Sequence, residues 1–271
     1  MNLSAIFFLV IIVIIVIIAI VSYNTYRDYS FNENDIQEII GPSISAIKEG
    51  TFSNSKLPPL NVGNESNRVY SYNVWLQIND VTLDEKTTKH IFHKGTEPTE
   101  GIAPNINIVD MQPGVFLGGV EKNIATLRVY SSSFRSGTKN RYCEIRIPTG
   151  KFFMLSIVMN GDGLKVYING GEWNGKIVDG VGNCGMIFDD ESDTSKKKQR
   201  WTPRTNQSDI YYLYKGGFNG YISDMTYFSK ELTQSKIDEL HRDGPTIGES
   251  YKGPSKSGKA QYNKLAGNDP R

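Results

Sequence analysis

The alternation of apolar and polar residues is clearest between Lys151 and Trp173, where it predicts two β-strands joined by a tight turn. The first strand places four apolar side chains on one face, namely Phe153, Leu155, Ile157 and Met159. The second strand has an apolar face formed by Leu164, Val166 and Ile168. The intervening residues 160–163 (Asn-Gly-Asp-Gly) tolerate the positive φ angles that a hairpin turn requires.

Short stretches with the same two-residue period recur along most of the chain, and each predicts a strand. The further predicted strands are Val69–Ile78, Lys89–Lys94, Asn105–Val109, Ile124–Tyr130, Tyr142–Ile147, Ile210–Leu213 and Gly220–Phe228. One short helix follows, capped by Thr233 and ended by Gly244-Pro245. Because no helical pattern lies between the strands, the sequence predicts an all-β sandwich or jelly roll over residues 69–245 rather than a parallel sheet.

The N-terminal stretch Leu3–Val21 contains no charged residue, and Ser4 is its only polar residue. At about 1.5 Å per residue it spans roughly 28 Å as a helix, close to the thickness of the hydrocarbon layer of a bilayer. A cleaved signal peptide is the alternative, but a basic n-region and a small-residue cleavage site are both missing from the flanks. We therefore predict a single-pass transmembrane anchor over residues 1–27, with the lipid bilayer as a partner and a membrane localisation. Its apolar side chains include Phe7, Phe8, Ile12, Ile15 and Ile18.

Residues 28–68 predict a linker that holds the folded domain away from the membrane. Within it, Asn34–Ile40 is consistent with one or two helical turns that Gly41-Pro42 ends. At the other end of the chain, residues 246–271 have almost no apolar content and more basic than acidic residues. This composition predicts a disordered basic tail.

The bulk composition bears on partners and on the redox state. The chain of 271 residues has 30 Lys and Arg residues against 29 Asp and Glu residues, so its near-zero net charge argues against a nucleic-acid partner. The two cysteines, Cys143 and Cys184, are too few for a disulfide scaffold and lack the spacing of a zinc site. They form either one bridge or two free thiols.

Three segments, taken in order, carry a resemblance to a known superfamily. They are YNVWLQI in the first strand of the domain, LKVYING in the hairpin, and GGFNGYISDMTYFSKELTQSKIDEL near the end. In the last segment the positions that carry the pattern are Gly220, Ile222, Asp224, Tyr227, Leu232 and Thr233. The chain from Val69 to Asp243 thus resembles the laminin-G-like, concanavalin A-like lectin/glucanase superfamily. The resemblance implies a two-sheet antiparallel jelly roll.

The sequence offers little for catalysis or for metal binding. Retaining glycosidases with this fold place two carboxylates on one face of a strand, whereas Glu144 stands alone in its predicted strand. His90 and His93 are three residues apart in a strand, so we expect them on opposite faces, where they cannot bind one metal ion. Some members of the superfamily bind calcium, but no spacing of acidic residues here singles out such a site. We therefore predict a protein that is not an enzyme and that has no cofactor.

The first hypothesis for function is a non-catalytic structural or adhesive protein that uses its jelly roll for protein–protein contacts. A charged insertion over residues 189–204 is a candidate contact arm, with Arg200 and Trp201 at its apolar anchor. The Ile-, Asn-, Lys- and Tyr-rich composition and the bare anchor are similar to membrane-associated virion proteins of large DNA viruses. That resemblance implies a minor capsid protein that joins an internal membrane to the shell, with capsid proteins as partners.

The second hypothesis is a membrane-anchored lectin. Glycan binding requires exposed aromatic rings for stacking and polar side chains that hydrogen-bond to hydroxyl groups. The candidates for these contacts are Trp173 with Asn174, and Tyr211 and Tyr212 with Asp209. The alternative is that these aromatic side chains pack inside the sandwich.

Overall fold

The structure is a computed structural model that describes residues 3–29, 31–60, 69–80, 88–97, 111–131, 142–160, 163–173, 177–178, 207–249 and 251. The chain divides into two compact units, Met1–Asn34 and Asp35–Arg271. The described part of the first unit contains one long helix, and the second unit contains all of the described strands.

Helix α1 runs from Leu3 to Tyr29 and contains the apolar stretch that the sequence predicts as an anchor. Its described side chains are exposed, with Phe7 at 70% and both Ile15 and Ile18 at 59%, and Ile12 is also exposed. The side chain of Phe8 lies outside the described residues. Among the residues that the structure describes, no helix has the length and apolar character needed to cross a membrane. The transmembrane anchor therefore stays a prediction.

The second unit is a sandwich of two antiparallel sheets, as the alternation predicts. Sheet I contains β1 (Ile36–Ile40), β2 (Ile44–Ser45), β4 (Tyr70–Ile78), β9 (Phe152–Asn160), β10 (Gly163–Ile168), β11 (Gly171–Glu172) and β14 (Gly220–Phe228). Sheet II contains β3 (Gly50–Phe52), β5 (Lys89–Lys94), β6 (Gly114–Glu121), β7 (Ile124–Tyr130), β8 (Tyr142–Pro148), β12 (Ile177–Val178) and β13 (Ile210–Tyr212). The strand order is β1-β14-β4-β9-β10-β11 in sheet I, where β2 also pairs with β14, and β12-β8-β7-β6-β5-β13-β3 in sheet II.

The hydrophobic core is built from the apolar faces that the two-residue period predicts. In β9 the core side chains are Phe153, Leu155, Ile157 and Met159. Sheet II contributes, among others, Leu127, Val129, Ile145 and Ile147. Burying one aliphatic side chain of this size contributes roughly 1.5–3 kcal/mol. All described members of the core cluster belong to the second unit, which indicates a unit with its own folding core.

The face of sheet I opposite the core packs against helix α2, which runs from Gln234 to Asp243. The Thr233 hydroxyl accepts a hydrogen bond from the Lys236 amide at 3.3 Å, which satisfies a free N–H group in the first turn. Trp75 stacks on His241 of this helix, with the ring centres 5.9 Å apart. The predicted helix, its cap and its end at Gly244 are therefore confirmed.

The segment 28–68 differs from the predicted linker, because part of it belongs to the two sheets. Residues 36–40, expected as helical turns, form strand β1 along the edge of sheet I, where Ile36 is paired with Phe228. Strand β3 extends sheet II in the same way by pairing with β13. The physical reason is non-local, since backbone pairing with a distant strand outweighs a weak local helical preference.

Strand β6 was not predicted from the sequence, because the glycines in GVFLGGVE obscure its alternation. Gly118 is packed closely against a neighbouring strand, since a Cβ atom there would lie 2.6 Å from Nε of Arg128. The strand predicted over residues 105–109 lies outside the described residues. Cys143 faces the core and is disulfide-bonded, and Cys184, the other cysteine in the sequence, lies outside the described part of the chain.

Candidate binding surface on the outer face of sheet II

The face of sheet II that points away from the core carries a continuous series of six ring side chains, which we call the aromatic row. In order across the sheet these are Tyr142, Tyr130, Phe116, His90, His93 and Tyr211. The successive distances between ring centres are 5.0, 5.5, 5.3, 4.9 and 5.3 Å, so each ring contacts the next. Ring pairs at such distances each add about 0.5–1.5 kcal/mol beyond the area that they bury.

Strand register brings these rings together. Tyr130 is paired with Tyr142 across β7 and β8, and Tyr211 is paired with His93 across β13 and β5. Between β5 and β6 the register shifts, because His90 is opposite Phe116 whereas the next pairing uses residue 92. This irregularity inserts one extra residue into β5, which is the effect of a β-bulge.

The bulge corrects the expectation that His90 and His93 point to opposite faces. The two imidazoles lie on the same face and form a hydrogen bond, with His90 Nε2 2.7 Å from His93 Nδ1. In a regular strand, side chains three residues apart point to opposite faces. The extra residue of the bulge places both side chains on the same face. We call these two residues the histidine pair.

Each of the four ring nitrogens of the histidine pair has a hydrogen-bond partner. The Tyr214 amide donates to His90 Nδ1 at 3.0 Å, and His93 Nε2 lies 3.0 Å from the carbonyl oxygen of Thr96. A carbonyl oxygen only accepts, so His93 carries its proton on Nε2 and its Nδ1 accepts from His90 Nε2–H. The partners therefore assign the Nε2–H tautomer to both neutral rings.

Burial favours these neutral forms. His90 is 3% exposed and His93 is fully buried. Burial lowers the pKa of His90 well below its usual range, and the neighbouring His93 lowers that pKa further. Burial also lowers the pKa of His93, although its hydrogen bond with the Thr96 carbonyl acts in the opposite direction. Both histidines are therefore uncharged at neutral pH.

The aromatic row is buried in its middle and open at its two ends. Phe116 and the histidine pair are buried, whereas Tyr142 and Tyr211 are partly exposed. At one end the Arg128 guanidinium lies over the Tyr142 ring, 5.2 Å from its centre. At the other end Tyr211 is stacked on His93 with an angle of 19° between the ring planes. A partner can therefore reach the row at Tyr142 and at Tyr211.

The contact residues proposed from the sequence occupy different environments. Tyr211 lies on the outer face, whereas Tyr212 faces inward and packs against the core cluster. Trp173 also packs against the core cluster, and its indole nitrogen is buried. Asn174, Arg200 and Trp201 lie outside the described residues. Of this set, Tyr211 is the described residue that belongs to the aromatic row.

The polar groups close to Tyr211 make bonds within the protein. One carboxylate oxygen of Asp209 accepts a hydrogen bond from the Asn54 amide at 2.8 Å. The Lys94 ammonium donates to the Asn54 side chain at 2.6 Å and to the carbonyl oxygen of Ser208. Burial lowers the pKa of Lys94 to about 8, and the charge of Asp209 opposes that shift. These contacts join β5 to the segments before β13 and after β3.

The strands of sheet II carry few acidic side chains. Within the described strands, Glu144 of β8 lies opposite Arg128, and Glu121 at the end of β6 is paired with Lys122 at 3.6 Å. Register separates the two glutamates along the sheet, because Glu121 is opposite Ile124, and Ile124 is opposite Pro148, which is four residues from Glu144 in β8. Among the described residues, no group of three or more His, Cys, Asp or Glu side chains is placed to hold a metal ion.

No protein-family model and no curated protein sequence matches this chain. Among solved structures, the receptor binding domain of botulinum neurotoxin type G is 16% identical, with a TM-score of 0.38, over 77% of this chain and 46% of that chain. The binding domain of botulinum neurotoxin DC, solved in complex with rat synaptotagmin II, is 15% identical with a TM-score of 0.40 and the same coverage. A Trypanosoma rangeli sialidase mutant that displays trans-sialidase activity is 15% identical, with a TM-score of 0.36, over 63% of this chain and 22% of that chain. The chain spans less than half the length of each of these proteins.

Proposed function

We propose that this chain is a non-catalytic binding protein whose β-sandwich, of the concanavalin A-like type, contacts a partner through the outer face of sheet II at Tyr211. The observation that supports this proposal is the aromatic row, which ends in a partly exposed ring held against His93. A tyrosine fixed by stacking loses little conformational freedom when a partner packs on it. Tyrosine is also enriched at protein interfaces, where its ring provides a large contact area.

A protein partner fits this surface better than a glycan does. Recognition of sugar hydroxyls needs polar side chains beside the stacking ring, as the sequence-based lectin hypothesis assumed for Asp209. The Asp209 carboxylate already accepts the Asn54 amide, and the Lys94 ammonium already donates to two oxygens. Part of the hydrogen-bonding capacity of these two groups is therefore already used inside the protein, so contact through Tyr211 relies more on packing than the lectin hypothesis assumed. Glycan binding remains the second candidate, because the ring of Tyr211 is accessible enough for a sugar to stack on it.

The proposal includes a membrane tether at the N-terminus. Its support is the uncharged sequence of Leu3–Val21, the helical conformation of Leu3–Tyr29 and the exposure of the described apolar side chains in that helix. Exposed apolar side chains along a helix favour transfer into lipid. Flotation of the full chain with lipid vesicles tests the tether, with a variant lacking residues 1–27 as the control. Recovery of both proteins in the unbound fraction would contradict it.

The role in a virion, as a minor capsid protein between membrane and shell, rests on the composition of the sequence. Its test is separate from that of the binding surface. Purified particles of the source virus would contain the chain in the membrane-associated fraction after the outer shell is removed. Absence of the chain from purified particles would end this part of the proposal.

Photo-crosslinking from position 211 tests the binding surface in the full chain. A photoreactive phenylalanine analogue at position 211 should crosslink to a protein partner in the native assembly, whereas the same analogue at Tyr221 should not. Tyr221 is a matched control because it is also partly exposed but lies on sheet I. A glycan array probed with the full chain and with Tyr211→Ala tests the second candidate. Equal crosslinking from both positions, with no glycan bound, would contradict the proposal.

A further inference from the structure

The histidine pair connects three segments of the second unit through one chain of hydrogen bonds. It begins at the Tyr214 amide, passes through the rings of His90 and His93, and ends at the carbonyl oxygen of Thr96. Every donor in this chain faces one acceptor when both rings are neutral. The pair thus holds the connection between β13 and β14 against β5.

The connection held in this way has an unfavourable backbone conformation. Leu213 and Lys215, on either side of Tyr214, have φ angles of 56° and 55°, which non-glycine residues adopt rarely. Such conformations persist only where surrounding contacts impose them. Two contacts with β5 do so here, namely the bond from Tyr214 to His90 and the bond from the Leu213 amide to the carbonyl oxygen of Ile91 at 2.8 Å.

We infer that the histidine pair is a proton-operated switch, in which uptake of one proton releases the segment around Tyr214 from β5 and loosens the support of Tyr211. The first part of this inference concerns the fold alone. The second part, an effect on partner binding at Tyr211, rests on the proposed function.

A single added proton is enough to break one hydrogen bond of the histidine pair. A proton added to His90 Nδ1 faces the Tyr214 N–H group, so a donor meets a donor. A proton added to His93 Nδ1 faces His90 Nε2–H in the same way. If His90 changes tautomer to relieve that contact, its proton moves to Nδ1 and again faces Tyr214. Every arrangement with one extra proton therefore breaks one hydrogen bond of the series that runs from Tyr214 to Thr96.

The neighbouring charges do not offset this effect. From β6 and β7 the pair is faced by Phe116 and, beyond it, by Tyr130, and from β13 by Tyr211. Among the described residues, the charged groups around the pair are Lys94 with Asp209, Glu97 close to Tyr211, and Glu49, which accepts a hydrogen bond from the Lys215 amide at 3.1 Å. None of these carboxylates contacts either imidazole, whose nitrogens are all bonded as described above.

Hydrogen exchange of the full chain in lipid nanodiscs tests the switch. We expect the protection of the amides at residues 213–216, corrected for the intrinsic exchange rate, to fall at least about tenfold between pH 7.5 and pH 5.5, because one unfolded-state histidine of pKa about 6.5 gives that factor. His90→Asn keeps an acceptor for the Tyr214 amide at the position of Nδ1 but cannot take up a proton there, so its protection should change less than twofold. His241→Gln removes the one histidine of the sequence that lies outside the pair, and its protection should show the same pH dependence as that of the original chain.

Two results would overturn the inference. The first is protection at residues 213–216 that is independent of pH, or that depends on pH equally in His90→Asn. The second does not depend on a folded variant: ¹⁵N chemical shifts of the imidazoles at pH 7.5 should show both rings of the pair as Nε2–H tautomers, and any other state contradicts the assignment. If the exchange result holds but position 211 crosslinks to nothing, the switch stands and the proposed binding surface fails.

Discussion

Acidification should destabilise the second unit by an amount that the histidine pair sets. Burial holds the pKa of both His90 and His93 below the value of about 6.5 that they have when unfolded. The unfolded chain then binds more protons than the folded one, so the stabilisation is fully present above pH 6.5 and is lost as the pH falls below it. At pH 5.5, one histidine that stays neutral in the folded state lowers the free energy of unfolding by about 1.4 kcal/mol. The expected loss between pH 7.5 and pH 5.5 is therefore about 1.4 kcal/mol from His90 alone and about 2.8 kcal/mol if His93 also stays neutral.

Urea unfolding of residues 35–271, followed by tryptophan fluorescence, measures this loss, since the core cluster lies entirely within that unit. Burial also lowers the pKa of His241, so His241→Gln is the background for every measurement. In that background the double substitution His90→Asn and His93→Gln should remove most of the difference between the two pH values. An equal loss of unfolding free energy with and without the double substitution would refute the reasoning.

Three further predictions concern stability and redox state. Tyr72→Phe removes a fully buried hydroxyl that has no hydrogen-bond partner within the described part of the chain, so the free energy of unfolding should rise by up to about 1 kcal/mol. A lower free energy of unfolding in urea would contradict this. Gly50→Ala should lower the free energy of unfolding by about 1–3 kcal/mol, because a Cβ atom there would lie 2.3 Å from the Tyr212 ring. Gly171→Ala is the control and should lower it much less, because the nearest atom to its Cβ would be 3.6 Å away. The disulfide bond of Cys143 should block thiol labelling in the denatured, unreduced chain, and labelling without reductant would contradict that bond. Its reduction should lower the free energy of unfolding by about 2–4 kcal/mol.

Elements that depend on local sequence could be predicted well. The bounds of β5, β7 and β14 were predicted correctly. In β7 the period of two also identifies the core side chains, which are Ala125, Leu127 and Val129. The cap of helix α2 was also visible, since Thr233 bonds to an amide only three residues away. The number and spacing of such strands predicted a sandwich, and the resemblance implied the two antiparallel sheets that the structure contains.

Elements that depend on distant pairing could not be predicted. Strand β1 is a strand because β14 provides its backbone partners, although nearly the whole length of the unit separates the two in sequence. The candidate surface was missed for the same reason. Tyr211 was identified from its type alone, whereas the rings that support it come from β5, β6 and β7 and meet only through strand register.

A signal for the histidine pair was nevertheless present in the sequence. Ile91 and Phe92, the two residues between the histidines, are both apolar, and both belong to the core cluster. Two adjacent core residues break the period of two, which is the effect of a bulge, and a bulge places the flanking residues 90 and 93 on one face. The prediction from spacing alone placed the two histidines on opposite faces because it treated β5 as a regular strand.

The presence of histidine at both positions is itself informative about function. A buried polar ring is tolerated only when its nitrogens are bonded, and all four nitrogens here are. Phenylalanine in the same places would continue the aromatic row from Phe116 to Tyr211 with no dependence on pH, but it would leave the Tyr214 amide and the Thr96 carbonyl oxygen without these hydrogen bonds. Packing of the row alone therefore does not explain why two imidazoles are there. A structural role uses their capacity to donate and accept hydrogen bonds, whereas a regulatory role also uses their capacity to take up a proton. For this reason the pH dependence at residues 213–216, more than the stability of the row, is the measurement that distinguishes a structural role for the histidine pair from a regulatory one.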